Sequence, residues 1–189
     1  MTARRVPIIP TIFVVAAVAT MIALGIWQLG RLKEKEALLA RYEAAAGANG
    51  LVPFPTAGDG ADTWFRRSEV ACLGAKVIDP VAGTAASGQA GWVHRATCTV
   101  SGGAAVVVDL GFSRDIAKPD WRGGKVTGVI APGPRLVADP PLADLQSMAR
   151  PDPGDLPNNH LAYAGQWFFF ALTAFVIYVL ALRRRGRFS

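Results

Sequence analysis

The chain has 189 residues, 51% of them hydrophobic, and a formal net charge of +6. Six basic residues, Arg4, Arg5, Arg183, Arg184, Arg185 and Arg187, lie at the termini, and the remaining 14 Lys and Arg equal the 14 Asp and Glu, all between residues 31 and 160. A central region without net charge gives no reason to expect a nucleic-acid partner, and two membrane-length apolar stretches leave room for about one further domain.

Residues 6–30 carry no charge, and these 25 residues would reach roughly 37 Å as a helix, enough for a hydrocarbon layer of about 30 Å. They are read as a first transmembrane helix. Ala17, Val18 and Ala19 offer a small-x-small site of the signal-peptide kind. The apolar run nevertheless continues through Ile26, past the roughly 7–15 residues of a signal's apolar region, so an uncleaved anchor is expected.

Residues 31–46 are helix formers with Leu32, Leu39 and Tyr42 at helical spacing, and Arg31 with Glu34 and Lys33 with Glu36 stand at i, i+3. The first helix is expected to continue through them into water.

Residues 47–157 form the expected central domain. Gly47, Gly50, Pro53, Pro55, Gly58 and Gly60 end the helix. Residues 64–70, 91–100, 104–112 and 125–130 then read as strands, being short, rich in Val, Thr and aromatics, and bounded by glycine or proline. Val106, Val107 and Val108 mark a central strand, and residues 83–91 and 101–103 read as turns. Seven prolines in residues 131–157 predict an extended, irregular course there, apart from a short helix over 142–149 in which Leu142, Leu145 and Met148 share a face.

Residues 161–182 are uncharged and form the second span, and residues 183–189 a basic cytoplasmic tail. Positive flanks stay in the cytoplasm, which places both termini inside and the central domain outside. Arg31, Lys33 and Lys35 oppose this weakly, since they alternate with Glu34 and Glu36. The fold class is therefore membrane α+β: two transmembrane helices at the chain ends flanking a mostly antiparallel β domain.

Cys72 and Cys98 both fall in the translocated domain, where an oxidising compartment favours one disulfide over two buried thiols. The only histidines are His94 and His160, and no Gly-x-Ser-x-Gly elbow accompanies them, so an enzyme is not expected. On a strand, His94 and Cys98 would stand about 13–14 Å apart, too far to share one ion. That disfavours a copper site with Cys72 and leaves His94 pointing to solvent or to a hydrogen bond.

His160 stands where the proline-rich segment meets the second span. An imidazole at a membrane boundary can ligate haem iron while the macrocycle lies against apolar groups. The alternative is an interfacial residue of a helix start capped by Asn158 or Asn159. Trp27 and Trp167 suit aromatic belts, Gln28 and Gln166 suit an interhelical partner, and Gly25, Gly30 and Gly165 would permit close helix approach.

Three stretches carry a resemblance. Leu24-Gly25-Ile26-Trp27-Gln28-Leu29-Gly30-Arg31, with Lys33 and Lys35 following, is similar to a Leu-Gly-x-Trp-Gln-x-x-Arg pattern. Val106-Val107-Val108-Asp109-Leu110-Gly111-Phe112-Ser113 is similar to a hydrophobic run ending in Gly-aromatic. Asn158-Asn159-His160-Leu161-Ala162-Tyr163-Ala164-Gly165-Gln166-Trp167 opens the second span. Together they resemble the surfeit locus protein 1 family of cytochrome c oxidase assembly factors, in a bacterial member. Asp109-Leu110 stands where many members have Asn-Arg, so no arginine role carries over there. The two cysteines belong to no general motif of that family.

The resemblance implies an assembly factor of the bacterial inner membrane with a periplasmic domain. It would bind or deliver haem a, without covalent attachment, between the haem a synthesis machinery and the oxidase catalytic subunit. His160 would be the haem iron ligand, with Trp27, Gln28, Arg31 and Trp167 around it and Arg31 as a propionate partner. The alternative is a haem-free membrane scaffold that binds oxidase subunits.

Overall fold

A computed structural model describes residues 7–185, so Arg4, Arg5 and Arg187 lie outside the described residues. The chain divides into two compact units, one formed by the residues up to Leu38 with those from Pro157 onward, the other by Leu39–Leu156.

The first unit holds two long apolar helices. Helix α1 runs unbroken over Ile8–Gly47, and its first turn closes with the Thr11 amide donating to the Pro7 carbonyl at 3.1 Å. No proline follows Pro10 within it, and the helix formers of residues 31–46 let it continue without a break, as their composition predicts. Helix α2 spans His160–Arg185, and the Tyr163 amide donates to Asn159 at 3.1 Å, which makes Asn159 the residue before the first turn. Phe13, Ile26, Phe169 and Phe175 stand exposed on these helices, so their apolar faces are not covered by protein.

The second unit is a mixed seven-stranded sheet of β1 (Leu51–Val52), β2 (Arg67–Cys72), β3 (Gly74–Thr84), β4 (Ala90–Thr99), β5 (Ala105–Ser113), β6 (Gly124–Ala131) and β7 (Arg135–Ala138). The strand order is β1-β2-β6-β7-β5-β4-β3. β1 with β2 and β5 with β7 are parallel and the other four pairings antiparallel, so the sheet is mixed and, as expected, mostly antiparallel. β5 is interior, as its valine run predicts.

Only Leu73 separates β2 from β3, yet β2 pairs with β6 and β3 pairs with β4. One bent strand thus belongs to both flanks of the order, and the sheet curls around its inner face. The Cys72–Cys98 disulfide sits at that corner, with 5.5 Å between the Cα atoms. Val70, Val108, Leu110, Val126, Ile130 and Leu136 pack with it in the inner core. The alternation of exposed and buried residues along β2 is what a half-buried strand requires.

Several expectations need correction. The strand anticipated from residue 64 begins only at Arg67, because residues 61–66 form turns and Phe65 takes a positive φ of 66°. Strand β3 was not expected: Lys76, Asp79 and Pro80 break its apolar pattern, which is tolerable because it ends the strand order. The helix expected over 142–149 does not form, since Ala143 and Asp144 take φ of 54° and 58°. That segment instead pairs alongside the sheet, with Gln146 and Phe112 exchanging both backbone bonds at 2.8 and 2.9 Å. Of the two alternatives for His94, solvent or a hydrogen bond, the structure has the second: the side chain is fully buried and its Nε2 lies 3.2 Å from the Asp115 carbonyl, while its Nδ1 has no hydrogen-bond partner.

The C-terminal turns of α1 belong to this second unit. Tyr42 is buried against Trp64 and Phe65, at ring-centroid distances of 5.7 and 5.2 Å. Burial raises its phenol above the ordinary value, and the nearby Asp59 charge acts in the same direction.

Candidate functional site

The first unit brings α1 and α2 together at three levels. Thr11 Oγ1 meets the Tyr178 hydroxyl near one end. In the middle, a Cβ on Gly25 would stand 2.6 Å from the Phe168 ring, so a larger residue there would force that ring to shift. At the other end Gln28 Oε1 lies 2.8 Å from His160 Nδ1. The spacing of His160, Ala164, Phe168 and Ala171 along α2 sets them on one helical stripe, and Ala164 and Ala171 are buried. Gly30 and Gly165 face open space, so close approach is the role of Gly25 and not of the other two.

The Gln28 contact has a chemical consequence. With the amide oxygen accepting from Nδ1–H, the neutral imidazole keeps its other lone pair on Nε2. An imidazole oriented in this way through one nitrogen is the usual arrangement of a metal-ligating histidine. Among the described residues no group of three or more His, Cys, Asp and Glu gathers that could hold a metal ion.

The remaining predicted residues are less convergent. Trp27 is 57% exposed. Trp167 is half-buried and meets Phe170 edge-on at 6.3 Å. Arg31, one turn beyond Gln28, is ion-paired with Glu34 on its own helix and remains half-exposed. Gln166 is exposed, so of the two glutamines only Gln28 has the interhelical role expected of both.

The sequence model of the SURF1 family matches residues 15–172, which contain all three stretches that carry the resemblance. The chain belongs to the SURF1 family. This family is known for cytochrome oxidase assembly. No curated protein matches the chain.

Within this SURF1 family member, a second polar constellation escaped sequence reasoning. Asp109 lies in the apolar β5 run and is 5% exposed at its side chain. It accepts from Arg95 Nε at 2.6 Å, Arg95 Nη2 at 3.1 Å and Arg135 Nε at 2.9 Å. The hydrogen bonds that Arg95 donates to Asp109 raise its guanidinium above the ordinary value, against the opposing effect of burial. An acid inside a valine strand does signal that a cation must face it. Which cation, however, is decided by strand register, since Arg95 is the direct cross-strand partner and Arg135 comes from the parallel neighbour.

Replacing Asp109 with alanine leaves two guanidiniums facing each other. Each is about one third exposed, so water relieves part of the cost, and the expected destabilisation is about 2–3 kcal/mol, below that of a fully buried pair. Thermal unfolding of the full chain in detergent measures it.

Proposed function

We propose that this SURF1-family chain is a two-span protein of a bacterial inner membrane, with both termini cytoplasmic and the strand domain periplasmic. It takes haem a, non-covalently, from the haem a synthesis machinery and passes it to the catalytic subunit of cytochrome c oxidase. It acts as an assembly factor and not as an enzyme.

The observation that carries this reading is the 2.8 Å contact between Gln28 and His160, which leaves Nε2 free to coordinate. Haem a is the cargo, and its iron offers an axial position to an imidazole. Around His160, Trp27 and Trp167 supply aromatic surface, and Gln28 holds the ring. Arg31 carries more N–H donors than its contact with Glu34 uses, which suits a propionate. The uncovered apolar faces of both helices support the membrane reading, and the absence of Cys-x-x-Cys-His supports non-covalent binding.

The second reading is the haem-free scaffold for oxidase subunits. It is favoured by the fact that Gln28 already holds His160 and Glu34 already pairs with Arg31 without any haem. The reduced-minus-oxidised spectrum of protein purified in detergent from cells making haem a separates the two. A haem a band is expected, and its absence would favour the scaffold. For the orientation, alkaline phosphatase fused after Gly60 should be active and a fusion after Arg185 inactive. The reverse pattern would overturn the topology.

A further inference from the structure

The sheet of the second unit has an outer face as well as the inner one that holds the core. Strand register places Arg67, Val129, Val137, Asp109, Arg95 and Asp79 in one row across β2, β6, β7, β5, β4 and β3. Directly paired residues project from the same face, so this row is a continuous stripe on the outside.

Its chemistry is uneven. Towards one end, Asp139 accepts from Arg67 at 3.2 Å and from Arg150 at 3.1 Å. Towards the other, Asp109 is held by Arg95 and Arg135. Each cluster sets two guanidiniums on one carboxylate and so keeps one excess positive charge. Between them Val129 and Val137 floor a groove of about 420 Å³, walled by Ala86, Met148, Ala149 and Pro151.

Two neighbouring acids already have cations of their own, Asp79 with Lys118 at 3.3 Å and Glu69 with Lys125 at 2.9 Å. Asp152 accepts the Gly154 amide at 2.7 Å and keeps its charge, so the excess at this end rests on the exposed Arg150. Arg150 is 72% exposed and keeps donors for an incoming carboxylate.

Length indicates the kind of partner. Four strand spacings separate Arg67 from Arg95, about 19 Å at about 4.8 Å each, which is the reach of roughly six extended residues and exceeds that of a simple carboxylate. We propose that this groove docks an extended acidic segment of a partner protein. An apolar side chain sits over Val129 and Val137, and carboxylates meet the arginine pairs at either end. The surface does not depend on the haem reading.

The test uses the full chain in detergent and a fluorescent pool of eight-residue peptides, with glutamate at both ends and mixed leucine, valine and phenylalanine between. A matching pool carries lysine at both ends. Fluorescence anisotropy should show the acidic pool bound and the lysine pool unbound. Arg150→Glu, which reverses an exposed charge, and Ser147→Trp, which fills the rim of the groove, should each weaken binding about tenfold or more. Both variants should keep the wild-type haem spectrum, so that failure here is distinguishable from failure of the proposed function. No binding of the acidic pool, equal binding of both pools, or binding indifferent to both variants would overturn the proposal. So would a groove that takes only a fatty carboxylate, or self-association of the chain that Ser147→Trp abolishes.

Discussion

A His160→Ala variant purified from cells making haem a should show no haem a band, with the wild type showing one. The expectation is large because the imidazole is proposed as the single protein ligand, so its removal takes away the whole coordinate bond. Gln28 acts differently, since it touches only the ligand. Gln28→Leu removes the acceptor that holds Nδ1–H, frees the ring to turn, and should weaken binding by about 10–100-fold without abolishing it. Helix content by circular dichroism should be unchanged in both variants, which separates loss of the ligand from loss of the helix pair. A full band in His160→Ala would place the haem elsewhere and leave His160 as a residue of the α2 start.

Opening the disulfide should cost most in stability. Cys72 and Cys98 are separated by 26 residues, and closing a loop of that length restricts the unfolded chain by about 3.5 kcal/mol in the chain-entropy treatment. Both sulfurs lie in the inner core, so Cys72→Ala with Cys98→Ala also removes packed volume at the corner where the bent strand joins the two flanks of the sheet. For a domain of this size the melting temperature should fall by roughly 10–15 °C. Near-ultraviolet circular dichroism of the full chain in detergent, with and without reductant, measures it. Thiol labelling after denaturation should require prior reduction, and labelling without it would show that no bridge forms.

How much of this was legible in the sequence depends on how local each property is. The two long helices follow from uncharged runs and helix formers, because backbone hydrogen bonds within a helix are satisfied by neighbours a few residues away. The positions of β4, β5 and β6 were also legible, since glycines and prolines punctuate apolar runs of strand length. The contact between α1 and α2 was anticipated from the glutamines near the span ends, and His160 is the partner that Gln28 finds.

What only the tertiary structure decided is non-local. Leu142, Leu145 and Met148 have helical spacing, but pairing of Gln146 with Phe112 satisfies that backbone better once the sheet is present. Strand β3 has no apolar stripe of its own and exists because β4 offers it a partner. The burial of His94 and the clamping of Asp109 by Arg95 and Arg135 likewise depend on which strand lies beside which. Sequence by itself determined the lengths and characters of the elements, because these depend on neighbouring residues. The curl of the sheet, its register and the charged outer row depend on residues far apart in the chain, where the choice of partner is settled by the closure of the whole.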